Sequence, residues 1–181
     1  VSKGLDFERV KLVGVMDADS LIGYPDFRAE ERTYAMLTQV SGRSGRKGER
    51  GKVVIQLSDP DNRVYQWVAQ GSFSLFYEAL AREREFFGYP PFGRLIQLEL
   101  RHKDELLLRR AANKLAERLR SRLAGRVYGP AVPEVSRIRE MQRIQLLIKA
   151  EPALSLSKLK SFLKGAIVEL LTLNNYRTLK V

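Results

Sequence analysis

The stretch Tyr89-Pro90-Pro91-Phe92-Gly93-Arg94-Leu95-Ile96-Gln97-Leu98-Glu99-Leu100-Arg101 divides the chain into two grammars of folding. Its prolines lack the backbone donors a helix interior needs, so the helical pattern before them stops there. Directly afterwards Ile96, Leu98 and Leu100 alternate with Gln97, Glu99 and Arg101, the two-residue period of a half-exposed strand. Asp104 then caps a helix to about residue 123, with Leu108, Ala111, Ala112, Leu115 and Leu119 facing inward. Two strands over 135–139 and 142–149 are joined tightly near Glu140-Met141, and Ile144, Leu146 and Ile148 mark their buried side. Ser157 opens another helix, with Leu159, Phe162, Leu163, Ala166, Ile167 and Leu170 inward, and 176–181 reads as a last strand. The order β-α-β-β-α-β predicts an α+β domain of ferredoxin-like type.

Upstream the grammar is different. Val10, Leu12, Val13, Val15 and Met16 read as a short buried strand ending at Asp17 and Asp19. Tyr24-Pro25-Asp26 breaks the pattern, with Asp26 as N-cap of a helix over 27–39 that faces Phe27, Tyr34 and Leu37 inward, as does Val40 just beyond it. A second apolar strand, 53–57, is stopped by Asp59-Pro60-Asp61. Apolar strand, helix, apolar strand is the order of a parallel α/β sheet. Residues 62–88 are amphipathic and helical with a break at Gly71. The expected domains are therefore 1–61, a helical connector over 62–90, and 91–181.

Charge follows the same division. Residues 1–90 hold 13 basic and 13 acidic side chains, while 91–181 hold 19 basic against 8 acidic, so the whole excess of +11 lies in the second half. Such a half suits a polyanion whose phosphates it neutralises. With no cysteine and one histidine, His102, disulfides and thiolate metal sites are excluded and a zinc site is disfavoured. No apolar run approaches the roughly 20 residues of a membrane span, and no signal peptide opens the chain, which fits a cytoplasmic protein.

Two kinds of site stand out. In Gln39-Val40-Ser41-Gly42-Arg43-Ser44-Gly45-Arg46, two arginines lie three residues apart, each behind a glycine. Arginine is a permanently charged fork that matches phosphate oxygens, and glycine permits close approach, so the pair can stabilise a γ-phosphate. The same residues also read as a basic loop that is solvated or touches nucleic acid. In the second half, Arg137, Arg139 and Arg143 crowd one hairpin, either to meet phosphates or to guard an exposed edge strand. Arg110, Lys114 and Arg118, with Arg122, form a helical stripe that is either a solvated face or a further phosphate contact. Asp17 and Asp19 sit at a strand end, where α/β sites gather, and serve equally well as caps. Tyr89, Phe92 and Trp67 can stack on bases, but beside helix ends and prolines they read as packing residues.

Taken in order, Lys3-Gly4-Leu5-Asp6-Phe7, Asp17-Ala18-Asp19, Pro25-Asp26-Phe27-Arg28-Ala29-Glu30-Glu31-Arg32 and the Gln39–Arg46 run resemble the second motor lobe of a superfamily 2 helicase. Together with Tyr89-Pro90-Pro91-Phe92 and the arginine-rich hairpin, they resemble the primosomal family of replication-restart helicases over essentially the whole chain. The resemblance implies a partial RecA-like lobe followed by a C-terminal domain of ribosomal-protein type. It implies that Gly4 and Asp6 couple nucleotide to DNA, and that Gln39, Arg43 and Arg46 meet ATP, the two arginines acting catalytically at the γ-phosphate. It implies ATP and magnesium as cofactors of the complete protein, and zinc bound upstream. Forked or branched DNA, single-strand-binding protein and other primosome proteins are the implied partners.

The departures are equally specific. The chain has no G-x-x-x-x-G-K-[ST] phosphate loop and no acidic box for magnesium, and Ser41 and Ser44 stand where relatives often carry alanine. The expectation is thus a C-terminal piece entering just inside the fifth helicase motif, inactive by itself as an ATPase. The alternative is a non-enzymatic nucleic-acid-binding protein of ribosomal type; a phosphate loop upstream in the parent gene distinguishes the two.

Overall fold

The structure, a computed structural model, describes residues 10–23, 26–42 and 51–181, Asn174 by its backbone alone. It divides into two compact units, one ending at Arg82 and the other beginning at Glu83.

In the first unit, β1 (Leu12–Val15) pairs in parallel with β2 (Lys52–Ile55), Val13 opposite Val53. Parallel pairing needs a crossover, and α1 (Asp19–Ile22) and α2 (Ala29–Ser41) lie between the strands in sequence. The carboxylate and carbonyl of Asp26 accept from the amides of Arg28 and Ala29, holding a turn that delays the start of α2 to Ala29. α2 buries Tyr34 and Leu37, one turn apart. α3 (Arg63–Gln70) starts where the Asn62 side chain accepts from the Val64 amide and ends at Gly71, whose φ of 65° gives a left-handed cap. α4 (Phe73–Phe87) follows, its residues up to Arg82 belonging to this unit. Tyr34 stacks on Phe76 at 4.1 Å between ring centroids, with Val64, Leu80 and Trp67 packed around them.

The second unit comprises β3 (Arg94–His102), α5 (Glu105–Leu123), β4 (Val127–Ala131), β5 (Arg137–Ile138), β6 (Met141–Ala150) and α6 (Leu156–Thr172). The sheet order is β3-β6-β4 with antiparallel neighbours, and a single bridge joins Arg101 to Lys180 beyond β3. The late strand β6 thus lies between β3 and β4, the split arrangement that a β-α-β-β-α-β order produces. This is an α+β unit. Its core combines Leu108, Leu115 and Leu119 of α5 and Leu159, Leu163 and Leu170 of α6 with Leu100, Ile144, Leu146 and Ile148 of the sheet.

Two strands differ from the sequence expectation. The strand after α5 is β4 at Val127–Ala131; the expected 135–139 strand contributes only Arg137–Ile138, the short arm of a hairpin with β6. The expected terminal strand over 176–181 is a 3₁₀ turn at Asn174–Tyr176, then the Lys180 bridge, with Leu179 turned into the core.

The segment holding β4 resembles a turn in sequence because it contains Gly129-Pro130. Its pairing with β6 shifts register between Tyr128 and Ala131. At φ 93°, Gly129 leaves only 2.7 Å between a would-be Cβ and the Gln145 carbonyl oxygen. Gly129→Ala is therefore expected to lower stability by about 1–3 kcal/mol, measured by urea unfolding of this chain. A variant as stable as the parent would show that β4 does not need this backbone.

Candidate nucleic-acid interface

Of the residues expected to meet nucleotide, Gly4, Asp6, Arg43 and Arg46 lie outside the described residues. Gln39 is exposed near the C-terminal end of α2. Asp17 and Asp19 build a turn: the Asp17 carbonyl accepts from the Ser20 hydroxyl at 2.8 Å, and the Asp19 carboxylate accepts from the Ser58 amide at 2.6 Å. Asp19 also accepts from the Tyr65 hydroxyl at 3.4 Å. Burial, then the Asp19 charge, pushes the Tyr65 phenol up to about 12. Asp19, at the start of α1, thus ties that helix to the segment after β2 and to α3. Trp67 is packed against Tyr34, Val64, Phe76 and Leu80, as its position beside a helix end implied.

The basic stripe lies on α5. Spacing of four residues places Arg110, Lys114, Arg118 and Arg122 along one side of the helix, and all four are exposed. Arg110 and Lys114 form no ion pair with a described residue. Arg118 donates to Glu169 at 2.9 Å, and the guanidiniums of Arg118 and Arg122 lie 5.7 and 5.1 Å from the Phe162 ring centre. The stripe is therefore graded, with its first two cations uncommitted and the next two laid across α6.

The hairpin separates its three arginines. Arg139 and Glu140 form its two-residue turn with φ of 46° and 64°, the double positive φ of a type I′ turn, here without glycine or asparagine. Arg137 and Arg139 are exposed there. Arg143 turns back over the sheet: it donates to Glu99 through Nε at 3.1 Å and Nη2 at 2.5 Å, and to the Val135 carbonyl at 2.7 Å. Its side chain is only 15% exposed. Glu99 also accepts from Gln145 at 3.0 Å and from Arg101. The Arg143 hydrogen bonds, with those of Gln145 and Arg101, outweigh the burial of Glu99 and hold its carboxyl down at about 2. Arg143 therefore organises the sheet surface, while Arg137 and Arg139 stand at the hairpin end.

The sequence reading passed over Tyr128 and Lys149. Lys149 Nζ lies 4.0 Å from the centre of the Tyr89 ring and 5.1 Å from that of Tyr128, and it donates to the Phe87 carbonyl at 2.9 Å. The alternation of β6 puts Lys149 on the outer side, but its two aromatic neighbours come from β4 and from the segment before β3. Only the sheet register brings them together.

Arginines, lysines and tyrosines on the second unit can neutralise phosphate and stack on bases. Residues 85–179 match the family described as Primosomal protein N C-terminal domain. The chain belongs to the PriA family. It is 35% identical over 161 residues to the replication restart protein PriA of Bacillus subtilis, covering 88% of this chain and 20% of that protein. The Synechocystis PriA is 38% identical over 152 residues, covering 82% of this chain and 18% of that protein. For PriA of Treponema pallidum the identity is 35%, with 83% of this chain and 23% of that protein covered. The chain thus spans about a fifth of the length of these PriA relatives. Among the described residues, no helix is long and apolar enough to cross a membrane.

Proposed function

We propose that this chain is the DNA-engaging C-terminal region of an ATP-dependent helicase that restarts replication at abandoned forks. The observation that carries the proposal is the coincidence of the family match over residues 85–179 with a charge excess of +11 confined to residues 91–181. The second unit supplies sequence-independent affinity for forked DNA through phosphate contacts at Arg110, Lys114, Arg118, Arg137 and Arg139. The parallel strand pair of the first unit belongs to a RecA-like lobe. Arg43 and Arg46, with Gln39, Gly4 and Asp6, meet ATP held with magnesium by a phosphate loop elsewhere in the complete protein. The forked guanidiniums suit a γ-phosphate, whereas a chain with no cysteine and one histidine does not suit zinc. Single-strand-binding protein and other primosome proteins are its protein partners.

A salt titration by fluorescence anisotropy, on a fork and on a duplex of equal length, tests the DNA-binding part. Affinity should fall steeply with salt, by roughly 0.9 unit of log–log slope per phosphate neutralised. Joint replacement of Arg137 and Arg139 by alanine should flatten that slope by about two units, and of Arg110 and Lys114 by a similar amount. Absence of binding at low salt, or double variants with parental slopes, would overturn it.

A further inference from the structure

β6 sends Ile144, Leu146, Ile148 and Ala150 into the core, so Arg143, Gln145, Leu147 and Lys149 stand on the opposite side of the sheet. By register, Leu95, Gln97, Glu99 and Arg101 of β3 lie beside them, and Tyr128 of β4 lies beside Leu147. The buried residues of α5 and α6 share the core with the inner side of the sheet. The outer side therefore has its own chemistry.

At one end, Lys149 contacts the faces of both Tyr89 and Tyr128, a cation–π arrangement that fixes the rings. Tyr128 still leaves 48% of its surface to solvent. At the other end lies Arg101, its side chain 47% exposed, with Lys180 bridged directly opposite. Gln97, exposed, lies between them and can offer both a donor and an acceptor to a base edge. The carboxylate of this face, Glu99, is already held by Arg101, Arg143 and Gln145, so it presents little repulsion to phosphate. Prepositioned aromatic rings beside cations and amides are the components of a platform on which unpaired bases stack. A duplex, whose bases are stacked on one another, has no free base face to offer such rings.

We propose that this outer sheet face binds single-stranded DNA, with Tyr128 stacking on a base and Lys149, Arg101 and Lys180 following the phosphates. The proposal rests on the DNA-binding reading above and gives it a second, structurally distinct surface. It divides the labour between paired and unpaired DNA: α5 and the hairpin hold phosphates of either, whereas the sheet face distinguishes the strand that has lost its partner.

The test uses the whole chain with labelled oligothymidine and with a duplex of equal length. Tyr128→Ala should weaken oligothymidine binding by about tenfold, while duplex binding, measured well below the thermal midpoint of the variant, stays at the parental value. Tyr128→Phe should restore oligothymidine binding, because the ring rather than the hydroxyl does the stacking. If the parent binds neither DNA, the DNA-binding reading itself fails. If it binds duplex but not oligothymidine, or if Tyr128→Ala binds oligothymidine as the parent does, the sheet-face proposal fails alone. An equal loss on both DNAs also overturns it. Should Tyr128→Ala fail to fold, photocrosslinking of the parent to iodouracil-substituted oligonucleotide decides: adducts at Tyr128 support the platform, and adducts confined to α5 or the hairpin overturn it.

Discussion

Arg46→Ala, in a protein of PriA length that includes this chain, should lower ATP turnover by on the order of 10³ while leaving nucleotide affinity nearly unchanged. Charge accumulates on the transferring phosphoryl group in the transition state. A permanently charged guanidinium placed there stabilises the transition state more than the bound ground state. Arg43→Ala should lower turnover similarly, with a larger loss of nucleotide binding. Steady-state ATPase rates combined with nucleotide titrations separate the two effects. Parental turnover in both variants would show that the Gln39–Arg46 run does not reach the γ-phosphate.

Glu99→Gln should destabilise the second unit by on the order of 3 kcal/mol near neutral pH, a large share of the stability of a small domain. The physical reason is the paired guanidinium beneath it. Arg143 is 15% exposed and Glu99 17%, so neutralising the carboxylate leaves a largely desolvated cation without its counter-charge. The sign with pH follows from the depressed carboxyl, which falls from an ordinary 4.5 to about 2. Its contribution is complete above the ordinary value and is lost as pH falls through that interval towards the folded value. The parent should therefore lose stability between about pH 5 and pH 2, and the Gln variant should show a shallower acid limb. Urea unfolding followed by circular dichroism at several pH values measures both. A Gln variant with the parental midpoint at neutral pH and the parental acid limb would contradict the role given to this pair.

The second unit was largely legible as a pattern, and its failures have local causes. Long, strongly periodic elements such as α5, α6 and β6 show their buried faces directly, because one side of each must be apolar throughout. β4 does not: Val127 and Tyr128 are followed at once by Gly129-Pro130, a dipeptide that usually marks a turn, and only its pairing with β6 makes the segment a strand. The terminal strand failed differently, since Tyr176 and Leu179 are apolar for the sake of the core rather than for a sheet period. At the interface, Arg137, Arg139 and Arg143 look alike in sequence. What separates Arg143 is Glu99, distant in the chain and two residues along β3 from Arg101, the register partner of Arg143. Ion pairing across a sheet depends on that register, which no local pattern reveals. The Lys149 contacts with Tyr89 and Tyr128 were hidden for the same reason.

β6 bonds to a neighbour on both edges and divides its residues strictly between two duties, Ile144, Leu146 and Ile148 inward and Arg143, Gln145 and Lys149 outward. A single inserted or deleted residue would exchange the two sets, burying three polar side chains and exposing the centre of the core. Over evolutionary time the outer face of the sheet can therefore be retuned only by substitution at alternate positions. The hairpin, whose turn at Arg139 and Glu140 lies beyond the last paired residues, is under no such constraint. Length variation among related chains should collect there, so that the reach of the hairpin arginines can change while the sheet surface keeps its spacing.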